Sequence, residues 1–252
     1  MEDSIKSEFI TWMKKAGAFD VRVADPSQGF DRVPEEAKPL SLWPQCRSVV
    51  VFAIAMSPDC NNIFLGPFAP GESSRNLGPV PENIQSEDYA LGRLARLFLS
   101  SVTLKGMLWL THFDHAVSFR SPPLKIAAYE SGLGVYGRSG LILHPILGNR
   151  MTLGVILTDA VLEPDQRLAD FEPCTNCVLC IENCPADAYD PSIHYPEGWS
   201  YDTCTRKREE ISNAGYYCHN CFAVCPAGQL SDSDLLRIRN AVSISPEHNF
   251  NL

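Results

Sequence analysis

Eight of the chain's ten cysteines fall in its last third, as Cys174-x2-Cys177-x2-Cys180-x3-Cys184-Pro185, a lone Cys204, and Cys218-x2-Cys221-x3-Cys225-Pro226. The first run has the bacterial ferredoxin spacing, in which the last cysteine of a run ligates the other of two clusters. Three thiolates spaced three residues apart on a tight loop cap three irons of one cube. The x3-Cys-Pro step then carries the next thiolate away. This rule groups Cys174, Cys177, Cys180 and Cys225 around one [4Fe–4S] cluster. The second run lacks a first cysteine, since that position is Gly215. Its cube would hold only Cys218, Cys221 and Cys184, and Cys204 is the unassigned thiol that fills the gap. The spacing predicts two [4Fe–4S] clusters with no cysteine of the region left over.

Other chemistries use cysteine too. Zinc takes four thiolates, usually as two separated CxxC pairs, and disulfides belong to oxidising compartments. Triple cysteines at spacing three, with Cys-Pro closing both runs, favour iron cubes. His219, inside the second run, reads as a loop residue because every ligand position is already filled. Cys46 precedes an apolar run and reads as a small core residue; Cys60 opens a long loop and is assigned to no metal. The first residues are acidic and lack an apolar signal core, and no apolar run approaches the ~18 residues of a membrane span. The expectation is a cytoplasmic protein with no membrane partner. Its net charge of −9 argues against a nucleic-acid groove, which works through Lys and Arg on phosphates. The one basic run, Arg206-Lys207-Arg208, reads as a solvated helix face or a docking patch for an acidic electron donor.

Ahead of the cysteines, Ile5, Phe9, Ile10 and Met13 at helical spacing predict a helix over 3–17 that stops at Gly17. Ser48 to Ile54 is a β-branched run and predicts a strand buried on both faces. Residues 58–83 are rich in Pro, Gly, Asn and Ser and read as a long loop. Ser86 would cap a helix from Glu87 to about Ser101. Further elements are predicted as a helix over 122–131, strands near 141–143 and 151–158, a linker near 163–172 and a helix over 231–243. The expected division is 1–165, 166–230 and a tail, 231–252.

The loop Ser131-Gly132-Leu133-Gly134-Val135-Tyr136-Gly137-Arg138-Ser139-Gly140 contains G-x-G-x-x-G, but it follows a helix and precedes a strand. A dinucleotide fingerprint needs the opposite order. The glycines allow close backbone approach to something bulky, or simply a tight turn around a packed Tyr136.

Taken with Leu42-Trp43-Pro44-x-x-Arg47-Ser48-Val49, Asp88-Tyr89-Ala90-Leu91-Gly92-Arg93, Leu141-Ile142-Leu143, Gly148, Leu153-Gly154, Thr158-Asp159 and the cysteine runs, this loop resembles the cobalamin-dependent iron–sulfur reductases. That family is typified by epoxyqueuosine reductase and is related to the corrinoid reductive dehalogenases. The loop is similar to the family's A-G-L-G-W-x-G-K. The resemblance implies an α+β fold: a nitroreductase-like N-terminal domain, then a bacterial-ferredoxin-like domain with two clusters. It also implies a bound cobalamin or other corrinoid, contacted by Gly132, Leu133, Gly134, Tyr136, Gly137 and Arg138. A redox donor protein of ferredoxin or flavodoxin type would supply the electrons.

Three departures qualify what is implied. The family's acidic D-S-A-P-like segment corresponds to Ser118-Phe119-Arg120-Ser121-Pro122, which has no acid, although Asp114 is near in sequence; no catalytic proton donor is assigned. The helical-repeat tail of the tRNA-handling members is not matched, which together with the acidic charge points to a substrate other than tRNA. Val135 and Arg138 replace the loop's Trp and Lys, with Tyr129 and Tyr136 as alternative donors. The leading expectation is a corrinoid-binding reductase acting on a small non-tRNA substrate or on the corrinoid itself. The other reading is a ferredoxin-type electron carrier that docks a partner enzyme and has no catalytic site of its own.

Overall fold

The two apolar runs that read as strands lie side by side at the centre of one antiparallel sheet. The structure is a computed structural model, and it describes residues 2–56, 99–113, 115–118, 120, 122–193, 195–213, 218, 220–229, 231 and 233. Strand β2 (Ser48–Ala55) pairs along its whole length with β6 (Met151–Thr158), with Ser48 opposite Thr158 and Ala55 opposite Met151. Strand β1 (Asp20–Ala24) pairs with the other edge of β2, and the short β3 (Val117–Ser118) pairs with β6. Among the described residues the order is β1-β2-β6-β3.

Both faces of this sheet are covered, which explains why β2 is apolar at nearly every position rather than alternating. On one face Val50, Phe52, Val21, Val23 and Ile156 meet α1 (Glu2–Lys15), through Phe9 and Met13, and a helix over residues 99–111 (α3). Trp109 of α3 sits against Phe9 and Trp12, at ring separations of 5.5 and 6.1 Å. On the other face Val49, Val51, Ala53 and Leu157 meet Ala127 and Ala128 of α4 (Leu124–Glu130), with Leu133 and Leu147. Each fully buried Val or Phe contributes roughly 1.5–3 kcal/mol of burial. Gly154 lies directly under the Phe52 ring, where a Cβ would collide with it.

Helix α1 ends as its sequence suggests, with Gly17 at φ +115° and the Ala18 amide returning to the Met13 carbonyl. Strand β1 is missed by pattern reading because Asp20 and Arg22 interrupt a run whose Val21 and Val23 are buried. A single-turn helix, α2 (Pro39–Leu42), is missed as well. The helix expected from Glu87 falls largely outside the described residues; within them it continues well past Ser101, because Val102, Met107 and Leu110 extend its buried stripe. The expected helix over 231–243, apart from residues 231 and 233, and Cys60, Asp114 and His219 also lie outside the described residues.

The cysteine-rich segment has little regular structure. Short helices α5 (Leu179–Glu182) and α7 (Asn220–Ala223) flank the longer α6 (Tyr201–Asn213), which carries Cys204. No helix among the described residues is long and apolar enough to cross a membrane.

Candidate functional site

The glycine loop folds as a hairpin: β4 (Val135–Tyr136) pairs with β5 (Ile142–Leu143). Its glycines face the protein's own chain. A Cβ on Gly132, at φ +69°, would strike the Gln166 carbonyl, one on Gly134 would meet Ile142 and Leu143, and one on Gly137 the Leu143 side chain. Leu133 is buried in the core. Of the six loop residues expected to contact a cofactor, Tyr136 lines a cavity. Arg138 instead reaches the cysteine-rich segment, its Nε donating to the Cys174 carbonyl at 3.2 Å and its Nη1 to the Pro191 carbonyl at 3.1 Å.

A second turn, between β5 and β6, also docks on that segment. His144 is buried and orders this turn: its Nδ1 accepts from the Ile146 and Leu147 amides at 3.1 and 3.2 Å. That leaves Nε2 as the donor facing Asp20 Oδ2 at 3.5 Å. Burial alone would raise the Asp20 carboxyl, but the His144 hydrogen bond and the charges of Arg22 and Lys14 hold it well below the usual carboxylate range. Beyond His144, Asn149 Nδ2 donates to the Phe222 carbonyl at 2.7 Å, Arg150 Nη2 to the Ala227 carbonyl at 3.2 Å, and the Gln229 amide to the Ile146 carbonyl at 2.9 Å. Gly148, at φ +61°, comes so close to Ala227 that no Cβ fits between them.

The stretch read as a linker is likewise tied down. Asp165 accepts from Lys6 Nζ at 2.9 Å and from the Val23 amide at 2.8 Å. Arg167 pairs with Glu130 and stacks over Tyr129, 5.0 Å from its ring centre.

The thiols fall into neighbourhoods. Cys180 is pushed up to about 12 by burial and by the charges of Cys174, Cys221, Cys177 and Cys225. Burial, then Cys174 and Cys177, raise Cys225. Burial, then Cys184 and Cys204, raise Cys218; burial, then Cys218 and Cys204, raise Cys221. These four thiols therefore feel charge mostly from members of their own expected quartet, and the influence of Cys221 on Cys180 crosses from one quartet to the other. Tyr189, raised by burial and by Cys221, Cys184 and Cys180, lies against both groups. Among the described residues, no three His, Cys, Asp or Glu side chains gather as a single metal ion requires. Cubes hold their thiolates at separate corners, farther apart than the ligands of one ion. Cys46 is apart from all of these, buried beside β2, with its thiol pushed up to about 11 by burial.

Between the hairpin and the cysteine-rich segment lies a cavity of about 880 Å³, walled by Tyr129, Tyr136, Tyr195, Glu130, Arg167 and Cys174 among others. This size is typical of small-molecule sites. The Tyr136 and Tyr195 rings stack at 5.1 Å, and Tyr129 adds a third ring 5.5 Å from Tyr136. Burial, then Tyr195 and Glu130, push the Tyr136 hydroxyl far up, so it stays a neutral donor. Glu130, Arg167 and Tyr195 escape sequence reading because they come from separate segments and carry no local motif. The segment corresponding to the family's acidic position gives Arg120, whose Nη1 donates to the Leu42 carbonyl at 2.8 Å; Phe119 and Ser121 lie outside the described residues.

No family model matches the chain. Among curated proteins it is 33% identical over 110 residues to an epoxyqueuosine reductase of Staphylococcus aureus, covering 40% of this chain and 28% of that one. It is 30% identical over 135 residues to a tetrachloroethene reductive dehalogenase of Desulfitobacterium hafniense, covering 46% and 24%. Among solved structures, an epoxyqueuosine reductase from Streptococcus thermophilus superposes with a TM-score of 0.55 at 19% identity, over 90% of this chain and 68% of that one. A reductive dehalogenase whose dehalogenation is B12-dependent gives 0.60 at 17% identity, over 92% and 34%. The sequence matches thus span less than a third of either curated relative. In sequence over part of its length and in fold over most of it, this chain is similar to epoxyqueuosine reductases and reductive dehalogenases.

Proposed function

We propose that this protein is an iron–sulfur oxidoreductase that binds a corrinoid in the 880 Å³ cavity and reduces its cobalt through two [4Fe–4S] clusters. Its substrate is a small molecule other than tRNA, or the corrinoid itself. In this reading a nitroreductase-like domain, 1–165, and a ferredoxin-like domain, 166–230, both contribute walls to the cavity, the second carries the clusters, and 231–252 is a tail.

The observation that carries the proposal is Cys174. It belongs to the quartet with Cys177, Cys180 and Cys225, and it also forms part of the cavity wall. A reducible centre at that thiol would stand beside whatever occupies the cavity. The quartet of Cys184, Cys204, Cys218 and Cys221 would feed it from the far side. The donor chemistry fits: two sets of four thiols suit two cubes, and the half-buried setting of each suits centres whose potentials are tuned by burial and hydrogen bonding.

The cavity fits a flat cofactor. Tyr136 and Tyr195 offer ring faces and neutral hydroxyls, and the Glu130–Arg167 pair beside Tyr129 would offer charged partners to polar groups of a macrocycle. A bound corrinoid supplies a cobalt that becomes strongly nucleophilic when reduced, while the protein contributes orientation and electrostatics. The B12-dependent chemistry of one relative in fold supports this assignment. The net charge of −9 supports a substrate that is not a polyanion. An electron donor of ferredoxin or flavodoxin type would complete the path.

Anaerobic titration of iron-reconstituted protein with hydroxocobalamin tests the proposal. A saturable shift of the corrinoid spectrum, weakened at least tenfold by Tyr136→Ala together with Tyr195→Ala, is expected. Cluster signals without any corrinoid binding would refute it and leave an electron-transfer protein.

A further inference from the structure

We infer that Arg138 and Arg150 are positioning residues for the cavity-side cluster, clamping the two ligand stretches that meet there and raising its reduction potential by their fixed charge. The inference rests on the two-cluster reading and deepens it. The quartet of Cys174, Cys177, Cys180 and Cys225 draws its ligands from both cysteine runs, so its geometry depends on holding two distant stretches of chain together. The sheet-bearing part of the protein does this with two guanidinium groups. Arg138, on the hairpin, donates to the carbonyl of Cys174 itself at 3.2 Å and to that of Pro191 at 3.1 Å. Arg150, in the turn just before β6, donates to the Ala227 carbonyl at 3.2 Å, two residues beyond Cys225, and its charge is felt at that thiol. One clamp therefore grips each run.

Both arginines are half-buried, so water screens them less than it screens a surface charge. A cube ligated by four thiolates is anionic and becomes more so on gaining an electron. A permanent cation beside it therefore favours the reduced form, and Arg stays charged at any working pH. The other quartet is differently placed: Arg208, felt at Cys218, is exposed to solvent on α6. The clamps thus act selectively on the cluster next to the cavity, and they tilt electron flow towards it.

The test is a redox titration of the anaerobically reconstituted full chain, followed by paramagnetic resonance, with iron counted in every sample. The signal that survives Cys204→Ser identifies the cavity-side cluster. Arg138→Gln and Arg150→Gln are each expected to shift its reduced-to-oxidised ratio about tenfold towards oxidised at a fixed potential, which is ~59 mV for one electron. Arg138→Lys and Arg150→Lys, which keep the charge, are expected to shift it less than threefold, and Arg208→Gln to leave it unmoved. Loss of the cavity-side irons in the Gln variants with retention in the Lys variants also supports the clamp. Unchanged potentials in fully loaded Gln variants, or equal shifts in the Lys and Gln variants, overturn it. Wild-type protein that takes up no iron would instead sink the cluster reading on which it stands.

Discussion

The β5–β6 turn makes a sharp stability prediction at Gly148. Replacing it with alanine asks an L-residue to hold φ +61°, which costs about 1 kcal/mol. The new methyl also points straight at the Ala227 carbonyl, a backbone atom that cannot rotate away, so the two segments must separate. Separation gives up the bond from Arg150 Nη2 to Ala227 and the bond from the Gln229 amide to Ile146, at about 1 kcal/mol each. The total is a loss of about 3 kcal/mol. Urea unfolding of the reduced, metal-free chain measures it without involving any cofactor. The same variant, reconstituted, should show its larger defect in the cluster that uses Cys225. A loss below about 1 kcal/mol, no more than the backbone conformation alone demands, would show that the turn is not wedged against the cysteine-rich segment and would refute the reasoning.

Phe52→Ala empties the centre of one core face, where the ring is fully buried and lies over Gly154; thermal or urea unfolding should register a loss of about 3–5 kcal/mol. Asp20 should govern part of the acid sensitivity. Its carboxyl is held below the usual range in the fold, so its contribution is complete above the unfolded value near 3.9 and disappears as pH falls towards the folded value. Unfolding of Asp20→Asn at neutral pH should show a deficit of about 1–3 kcal/mol that closes below about pH 4; a deficit constant down to pH 2.5 would contradict this. Cys204→Ser should disturb the cluster using Cys184, Cys218 and Cys221, lowering bound iron from about eight towards about four per chain. Full iron content with two unaltered signals would remove Cys204 from the ligand set.

Legibility in the sequence followed the range of the forces involved. Strand β2 was readable because near-complete burial on both faces demands an unbroken apolar run, and β6, half of it buried, because it keeps Leu153 and Val155 to Leu157 apolar. Helix α1 was readable from its Ile5, Phe9 and Met13 stripe. The two cysteine runs read as cluster ligands from the sequence alone because cluster ligation imposes a local spacing. Strand β1 was not, since its edges carry the Asp20 and Arg22 ion pair, 3.0 Å apart, and only pairing with β2 makes it a strand. The docking turn was not readable either. His144, Asn149 and Arg150 look like ordinary polar loop residues until the fold brings Asp20, Phe222 and Ala227 against them. The contacts of the stretch read as a linker escape sequence reading for the same reason: Asp165 caps the edge of β1 and Arg167 closes over Tyr129.

The glycine loop shows why a motif locates a site more reliably than it identifies the contacts. Its small residues suggest room left for a flat ligand, and a close approach is indeed what they permit. The approaching groups, however, are the Gln166 carbonyl at Gly132 and the Ile142 and Leu143 side chains at Gly134 and Gly137. This tight self-packing draws β4 against β5 and the 166–167 stretch against the hairpin. That contact in turn sets Tyr136, Glu130 and Arg167 around the same cavity and aims Arg138 at Cys174. The glycines thus shape the wall, and Val135 and Tyr136 beside them line the cavity. A methyl at Gly132 should therefore weaken corrinoid binding and destabilise the metal-free fold together. Removing only the hydroxyl at the proposed ligand contact, as in Tyr136→Phe, should weaken binding while keeping the ring packing against Tyr129 and Tyr195 and leaving the fold nearly as stable. Measuring both quantities in both variants separates wall from contact. If Gly132→Ala impaired binding with unfolding unchanged, the glycines would face the ligand after all.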